Sequence, residues 1–127
     1  MLAYTKTTEG LTVTVQSYFL EERSDIMQKK FFFVYFISLE NRGSSPVKLL
    51  RRHWYIHDSD APDYEVEGEG VVGEQPVIKP GTTYHYNSFC VLKSFEGSME
   101  GTYSMEREDG TTFDANIPRF HLKARLN

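Results

Sequence analysis

Apolar residues recur at every second position along much of this 127-residue chain, and this alternation constrains its fold more than any other feature. Between Leu11 and Leu20 the larger apolar side chains share one parity, with small polar residues between them. A period of two is typical of a strand with one buried face. The run from Phe31 to Leu39 is apolar on both parities, which predicts a central strand covered on both sides.

Further segments favour strands and are separated by turn signals such as Pro80-Gly81: Val47–Asp58, Tyr64–Glu67, Tyr84–Leu92, Met99–Glu106 and Thr112–Lys123. Pro118 predicts an edge strand or a bulge in the last of these. The one helical segment that the pattern allows is Ser24–Lys30, about two turns long. Seven or eight short strands without helical crossovers predict an all-β fold, an antiparallel β-sandwich, in a single domain covering residues 1–127.

Within Val47–Asp58 the alternation assigns side chains to two faces. Leu50, Trp54 and Ile56 share a parity and are expected in the core, and Arg52 shares that parity. A core-facing arginine is costly unless it is paired or hydrogen-bonded. We therefore expect Arg52 to have a structural role, with binding of an anionic or acidic partner as the alternative.

The charge and cysteine content excludes several classes of protein. The net charge of −4 argues against a nucleic-acid binder that neutralises phosphates. The single cysteine, Cys90, excludes an intramolecular disulfide and a four-cysteine zinc site, and fits a reducing compartment. The longest apolar run, Phe31 to Ile37, is too short to span a membrane, and no secretory signal opens the chain. We therefore expect a cytoplasmic protein that is not inserted in a membrane.

Acidic residues are concentrated between His53 and Ile78, where there is no Lys or Arg: Asp58, Asp60, Asp63, Glu65, Glu67, Glu69 and Glu74. We call these seven residues the acidic belt. Asp58, Asp60 and Asp63 are candidate ligands for a weakly held divalent cation. The spacing from Asp58 to Glu69 fits an EF-hand loop, but the glycine that such a loop requires is replaced by Asp63. A solvated acidic segment is therefore the favoured interpretation.

Gly68, Gly70 and Gly73 match the pattern G-x-G-x-x-G. A dinucleotide site needs a buried strand before this motif and a helix after it. The preceding residues are short and charged, and Pro76 and Pro80 exclude a helix. The motif therefore predicts a tight turn. Binding of a phosphate or pyrophosphate by its backbone amides remains the alternative.

No set of residues in the sequence indicates catalysis. Cys90 lies in an apolar strand context without a basic neighbour, which is typical of a buried, inert thiol. His53 and His57 share a strand face but are about 13 Å apart, too far to bind one metal ion. There is no nucleophile elbow. We therefore expect no catalytic residues, no cofactor and no enzymatic activity.

Three blocks of sequence together resemble the ApaG domain family, and the resemblance covers nearly the whole chain. The blocks are Leu49-Leu50-Arg51-Arg52-His53-Trp54-Tyr55-Ile56, Gly68-Glu69-Gly70-Val71-Val72-Gly73-Glu74-Gln75-Pro76 and Gly97-Ser98-Met99-Glu100-Gly101-Thr102-Tyr103-Ser104-Met105. Phe89 departs from the family pattern, which usually has glycine after the serine. The resemblance implies an immunoglobulin/fibronectin type III-like sandwich and a stand-alone bacterial protein linked by name to cobalt and magnesium efflux.

The resemblance also implies an interaction module, because related eukaryotic domains are fused to an F-box protein and to a polymerase-interacting protein. We therefore expect a non-enzymatic binding module with a protein partner, which uses the loop from Asp58 to Pro80 and one sheet face. The alternatives are a protein that binds a divalent cation or phosphate through the acidic belt or glycine motif, and, last, an enzyme acting on a phosphorylated nucleotide. The sequence leaves self-association open.

Overall fold

A computed structural model describes residues 2–125 of the chain. It contains two 3₁₀ helices, Glu21–Arg23 and Ile26–Gln28, and nine strands. The strands are β1 (Tyr4–Thr8), β2 (Leu11–Phe19), β3 (Phe31–Asn41), β4 (Val47–Asp58), β5 (Ala61–Glu69), β6 (Val77–Ile78), β7 (Thr83–Leu92), β8 (Glu96–Arg107) and β9 (Thr112–Lys123). No helix among the described residues is long and apolar enough to cross a membrane.

The strands form two antiparallel sheets that face each other. The first sheet has the order β1-β2-β3-β7, and the second has the order β5-β4-β8-β9, with β6 also paired to β4. One flank of the sandwich is closed, because the amide of Asn116 on β9 donates to Thr8 Oγ1 on β1. The edge strands β5 and β7 lie at the other side, which we call the open flank. The predicted antiparallel β-sandwich is confirmed.

The core lies between the two sheets and is built from the alternate residues of their strands. Val13 and Val15 on β2 are fully buried, as are Leu39 on β3 and Tyr103 on β8. Trp54 on β4 packs against Tyr35 and Phe120, with ring centroids 5.3 and 5.9 Å away, and Tyr35 also contacts Phe120. Aromatic packing of this kind adds to the free energy gained from apolar burial.

The predicted strand positions are confirmed, but the structure has nine strands rather than seven or eight. The two that the pattern did not predict are short. β1 carries three threonines and a lysine, and so has no apolar alternation to detect. β6 has two residues, below the length at which any period can be recognised.

The assignment of Leu50 to the core is wrong. Leu49 is fully buried, and a bulge between Leu49 and Arg51 shifts the parity of β4 by one residue. The bulge turns the carbonyl of Leu50 towards the glycine motif, where it accepts hydrogen bonds from Gly70 N (2.8 Å) and Gln75 Nε2 (2.9 Å). A bulge cannot be located from a hydrophobic pattern, because it changes the phase of the alternation.

Three local expectations have different outcomes. The predicted helix at Ser24–Lys30 is wrong in extent, because only the single 3₁₀ turn Ile26–Gln28 forms, capped by Asp25. Pro118 lies on the edge strand β9 beside a bulge, as predicted. β7 runs through Phe89 without a shift of register, so the departure from the family pattern does not interrupt the strand.

Candidate functional site

The glycine motif forms a tight hairpin rather than an anion cradle. Val71 N donates to Glu74 O (2.8 Å) and Glu74 N to Val71 O (2.9 Å), and Gly70 N donates to Leu50 O. Between them, Val72 and Gly73 have positive φ values of 44° and 81°, which makes a type I′ turn. Two amides of the motif and the amide of Glu74 beside it are therefore used within the hairpin and its contact with β4, which supports the turn interpretation.

Arg52 fixes the end of β5 to β4. Its side chain lies against Gly68, where a Cβ atom would be 3.1 Å from Nη1 and would crowd the guanidinium. Nη1 donates to the carbonyls of Glu69 (3.0 Å) and Gly70 (2.9 Å). Arg52, Gly68 and Gly70 are thus brought together, whereas Gly73 lies at the tip of the turn, where a Cβ atom would have no neighbour within 4 Å. This arrangement supports a structural role for Arg52.

The three candidate cation ligands are held by different partners. Asp58 is buried and accepts hydrogen bonds from Lys93 N, Ser94 Oγ and Asp60 N. Asp60 pairs with Lys29 (3.4 Å), and Asp63 Oδ1 lies 2.7 Å from His57 Nδ1. Within residues 2–125, no group of three His, Cys, Asp or Glu side chains is arranged to hold a metal ion.

The carboxyl group of Asp58 joins the turn between β4 and β5 to the segment that follows β7. It lies at the turn that leads into β5, and it receives the amide of Lys93 at the end of β7 (2.7 Å). Burial raises the pKa of Asp58, but the hydrogen bonds from Lys93 N, Ser94 Oγ and Asp60 N outweigh burial and leave the pKa lowered. The ionised form is therefore the one that stabilises this junction.

The outer face of the second sheet carries cross-strand pairs between histidines and acids. His53 Nε2 lies 2.6 Å from Glu65 Oε1, and His53 Nδ1 lies 3.3 Å from Glu67 Oε2. The His53 ring also stacks on Tyr55, with centroids 4.4 Å apart. The depression beside these residues holds about 320 Å³ and is open to solvent. Its lining mixes polar and apolar groups and is solvated, which is typical of a sheet surface rather than of an enclosed active site.

Cys90 is buried on the inner face of β7, as predicted. Its Sγ atom lies 3.9 Å from the hydroxyl of Tyr64 on β5. Burial raises the pKa of the thiol to about 11, despite the opposing hydrogen bond from Tyr64. At neutral pH the group is protonated and a poor nucleophile.

The backbone of β7 is open along one side. Phe32 is paired with Val91, yet its amide and carbonyl bond to Ser24 Oγ and Leu20 N, away from β7. In an antiparallel ladder such pairs alternate with hydrogen-bonded ones, and the register of β7 has no shift. The amides and carbonyls of the odd-numbered residues of β7 therefore point to the open flank, where no described backbone or side chain bonds to them. These residues are Thr83, His85, Asn87, Phe89 and Val91.

The composition of β7 separates it from the other three long edges of the described sandwich. β1 carries Lys6, β9 carries Pro118 among several charged residues, and β5 carries Pro62 and four acids. β7 has ten residues and contains no Lys, Arg, Asp, Glu or Pro. Charges and prolines prevent another strand from pairing with an edge. β7 therefore lacks the protection that the other edges carry.

Apolar side chains cover the outer face of the first sheet beside this edge: Tyr18, Phe32, Val34, Phe36, Phe89 and Val91. We call them the outer apolar patch. Phe36 is 44% exposed, Phe89 49% and Val91 43%. Phe89 packs on Phe32, with centroids 5.3 Å apart. Val34 is buried, and the guanidinium of Arg23 lies over the rings of Phe32 and Phe89. A partly exposed apolar patch next to an unprotected edge is typical of a protein interaction surface.

β7 was not identified from the sequence as a functional element. The working surface predicted from the sequence is the loop from Asp58 to Pro80 together with one sheet face. Most of that loop is built from β5, the hairpin of the glycine motif and β6. The signal that could have indicated β7 is the absence of charge over ten residues, Thr83 to Leu92. That signal has no meaning until the order of the strands shows that β7 is an edge.

The comparisons with known proteins agree with this architecture. The chain matches the ApaG domain family over residues 21–107. It is 49% identical to Protein ApaG of Anaeromyxobacter dehalogenans (strain 2CP-C), over 93% of each chain. It is 46% identical to Protein ApaG of Paramagnetospirillum magneticum, over 98% of this chain and 99% of that one.

A crystal structure gives the same result for the fold. A Bordetella pertussis protein solved under the name ApaA superimposes with a TM-score of 0.86 and 41% identity, covering 89% of this chain and 92% of that one. The resemblance that the three sequence blocks predicted is confirmed, and this chain belongs to the ApaG domain family.

Proposed function

We propose that this protein is a non-enzymatic interaction module that binds an extended segment of another protein along β7. The proposal is carried by one observation: β7 is a ten-residue edge strand without a charged residue or a proline. The edge strands β1, β5 and β9 each carry charged residues, and β5 and β9 also carry a proline. Extended peptides bind such edges by strand addition, in which backbone hydrogen bonds supply affinity and side-chain contacts supply specificity.

The side chains around the edge support the same function. Phe89 and Val91 present apolar surface on the outer face beside the open backbone. A shallow groove of about 290 Å³ next to them is lined partly by Phe36, His85 and Asn87. An added strand would cover apolar surface near one end of β7 and meet polar side chains near the other. Any role in cobalt or magnesium tolerance is, on this proposal, indirect and exerted through the protein partner.

A display library of random dodecapeptides tests the proposal, with two variants at one position. Asn87→Pro removes a backbone donor that points to the open side, where an edge strand tolerates proline. Asn87→Ala removes the same side chain and keeps the donor. We expect peptides selected on the wild type to bind Asn87→Pro on the order of tenfold more weakly, which corresponds to one lost hydrogen bond, and to bind Asn87→Ala with little change.

Two results would overturn the proposal: no enrichment of any peptide, or enriched peptides that bind Asn87→Pro as tightly as the wild type. Urea unfolding of both variants shows whether the proline disturbs the fold. If Asn87→Pro does not fold, Val91→Pro replaces it, because the amide of Val91 also points to the open side.

A further inference from the structure

The inner face of β5 lacks a covering strand. Val66 is paired with Trp54 and Tyr64 with Ile56, so all four side chains point towards the first sheet. Trp54 is 2% exposed and Ile56 4%, but Val66 is 40% exposed and Tyr64 41%. The first sheet therefore ends at β7, before it reaches far enough to cover β5.

The uncovered face and the open edge of β7 adjoin each other. The hydroxyl of Tyr64 on β5 contacts Cys90 Sγ on β7. β5 and β7 therefore face each other from opposite sheets at the open flank. Neighbouring strands in a sheet are about 4.8 Å apart, so a strand added to β7 extends the first sheet outwards by that distance. This extension would lie over the inner face of β5. The sandwich thus has an empty strand position. The free amides and carbonyls of β7 lie along one side of it, and the apolar side chains of Val66 and Tyr64 lie beneath it.

The side chains at this position define the sequence that would fill it. Successive residues of a strand point to opposite faces. Those facing inwards would meet Val66 and Tyr64, which favours apolar residues. Those facing outwards would lie beside Phe89 and Val91, where apolar residues bury more of the outer apolar patch.

The charge of the open flank indicates whether the added strand comes from a second copy of this chain or from another protein. β5 carries four acids within nine residues, and the acidic belt contains seven acids. Three basic residues from other segments, Arg23, Lys29 and Lys93, also lie near this flank and leave the acids in excess. Edge-to-edge pairing of two copies through β7 would bring two acidic belts together, and like charges oppose such an interface. A segment carrying Lys or Arg is instead attracted to this flank, chiefly during encounter.

We propose, on the basis of the protein-binding function above, that the bound segment belongs to a different protein, is basic, and forms a tenth strand over β5. Its residues are apolar at alternate positions, and Lys or Arg flank them. The segment completes the first sheet by hydrogen bonding to β7, and it buries the exposed parts of Val66 and Tyr64.

The dodecapeptides selected on the wild type test the charge. We expect them to carry net positive charge, and replacing their Lys and Arg by Glu should weaken binding on the order of tenfold at low salt, where screening is small. The double variant Glu65→Gln/Glu67→Gln should reduce this preference. Glu106→Gln/Glu108→Gln removes the same charge at the other end of β4 and β8, and should leave the preference nearly unchanged.

Methyl NMR with a selected peptide tests the position of the strand. The signals of Val66 and Val91 should shift on binding, whereas those of Val77, which is exposed on β6, should not. An unmoved Val66 signal would overturn the strand over β5. Equal binding of basic and acidic peptides would overturn the basic source and leave the proposed function intact, provided that Asn87→Pro weakens both.

Two further outcomes separate this inference from the function on which it rests. If sedimentation shows a dimer that Asn87→Pro dissociates, a second copy fills the position and the inference is wrong. If no peptide binds in a manner sensitive to Asn87→Pro, the proposed function itself is overturned, and the inference with it.

Discussion

β5 and β7 lie at the same flank of the sandwich, and each is the last strand of its sheet. They differ in the side chains that protect the open edge from pairing with another strand. β5 carries Pro62 and four acids, and most of its residues are exposed. β7 has no charge over ten residues and alternates between exposed and buried side chains. Both strands meet the geometric conditions for pairing with another strand, and only β5 carries the residues that prevent it.

The difference shows that edge protection in this protein is selective. β5 is fixed to β4 by Arg52, by the glycine hairpin and by cross-strand pairs on its outer face. These contacts hold β5 in its sheet without a further strand, and its charged side chains favour exposure of its open edge to solvent. β7 depends on β3 alone within its sheet. An edge kept apolar next to one kept acidic is the arrangement expected of a docking site with an electrostatic guide.

Of the variants that distinguish β5 from β7, Gly70→Ala should lower the free energy of unfolding most, because it disrupts the hairpin that holds the end of β5. Gly70 has a φ of +63°, and a Cβ atom would lie 2.1 Å from Glu74 O. We expect a loss of about 3 kcal/mol in the free energy of unfolding, from backbone strain and a lost hairpin contact. Gly73→Ala is the control, with φ +81° but open space, and should cost about 1 kcal/mol. Equal losses in urea unfolding would show that the close contact is unimportant.

Local features of the fold were predictable from the sequence, and its non-local features were not. The alternation of apolar residues identified seven strands, and Pro118 identified an edge. The order of the strands, and hence the open side of β7, depends on pairings between distant segments such as Phe32 with Val91. The parity of Arg52 favoured a structural role, but its contact with Gly68 depends on the register between β4 and β5.

Arg52→Ala should have the second largest effect, since it leaves the carbonyls of Glu69 and Gly70 without their donor. The bond to Glu69 is exposed and the bond to Gly70 is part-buried, and losing hydrogen bonds from a charged donor costs about 2 kcal/mol. Arg51→Ala is the matched control, because Arg51 is half exposed and lies 4.0 Å from Glu69, a pair worth less than about 0.5 kcal/mol. Hydrogen exchange should quicken at the end of β5 in Arg52→Ala and remain slow where β7 pairs with β3. Uniform quickening in both strands would contradict the separate anchoring of β5.

Asp58 joins the β4–β5 turn to the end of β7, and its effect on stability should depend on pH. The pKa of this carboxyl is lowered in the folded protein, so its contribution to stability is fully present above the pKa of the unfolded chain, about 3.9. That contribution is lost as the pH falls through the folded pKa. We expect Asp58→Asn to lower the free energy of unfolding by about 1.5 kcal/mol at pH 7. Unfolding curves of the two proteins should converge below pH 4, and a constant gap down to pH 2 would contradict this role.

Val72→Asn should have the smallest effect, and in the opposite direction. Val72 is 57% exposed and has a φ of 44°, which costs a β-branched residue about 1 kcal/mol. Asn followed by Gly is the preferred pair in a type I′ turn, so this variant should be about 1 kcal/mol more stable than the wild type. Val72→Ala, which keeps an ordinary side chain at positive φ, should gain little.

Val72→Asn also separates the hairpin from β7. If the strain at Val72 is local to the end of β5, the variant should bind selected dodecapeptides as the wild type does, because β7 and the inner face of β5 are unchanged. A stabilised protein that no longer binds them would show that the hairpin tip takes part in docking. The edges of β5 and β7 would then form one binding surface. That surface would include the turn that follows β5, in addition to the acidic strand β5 and the apolar strand β7.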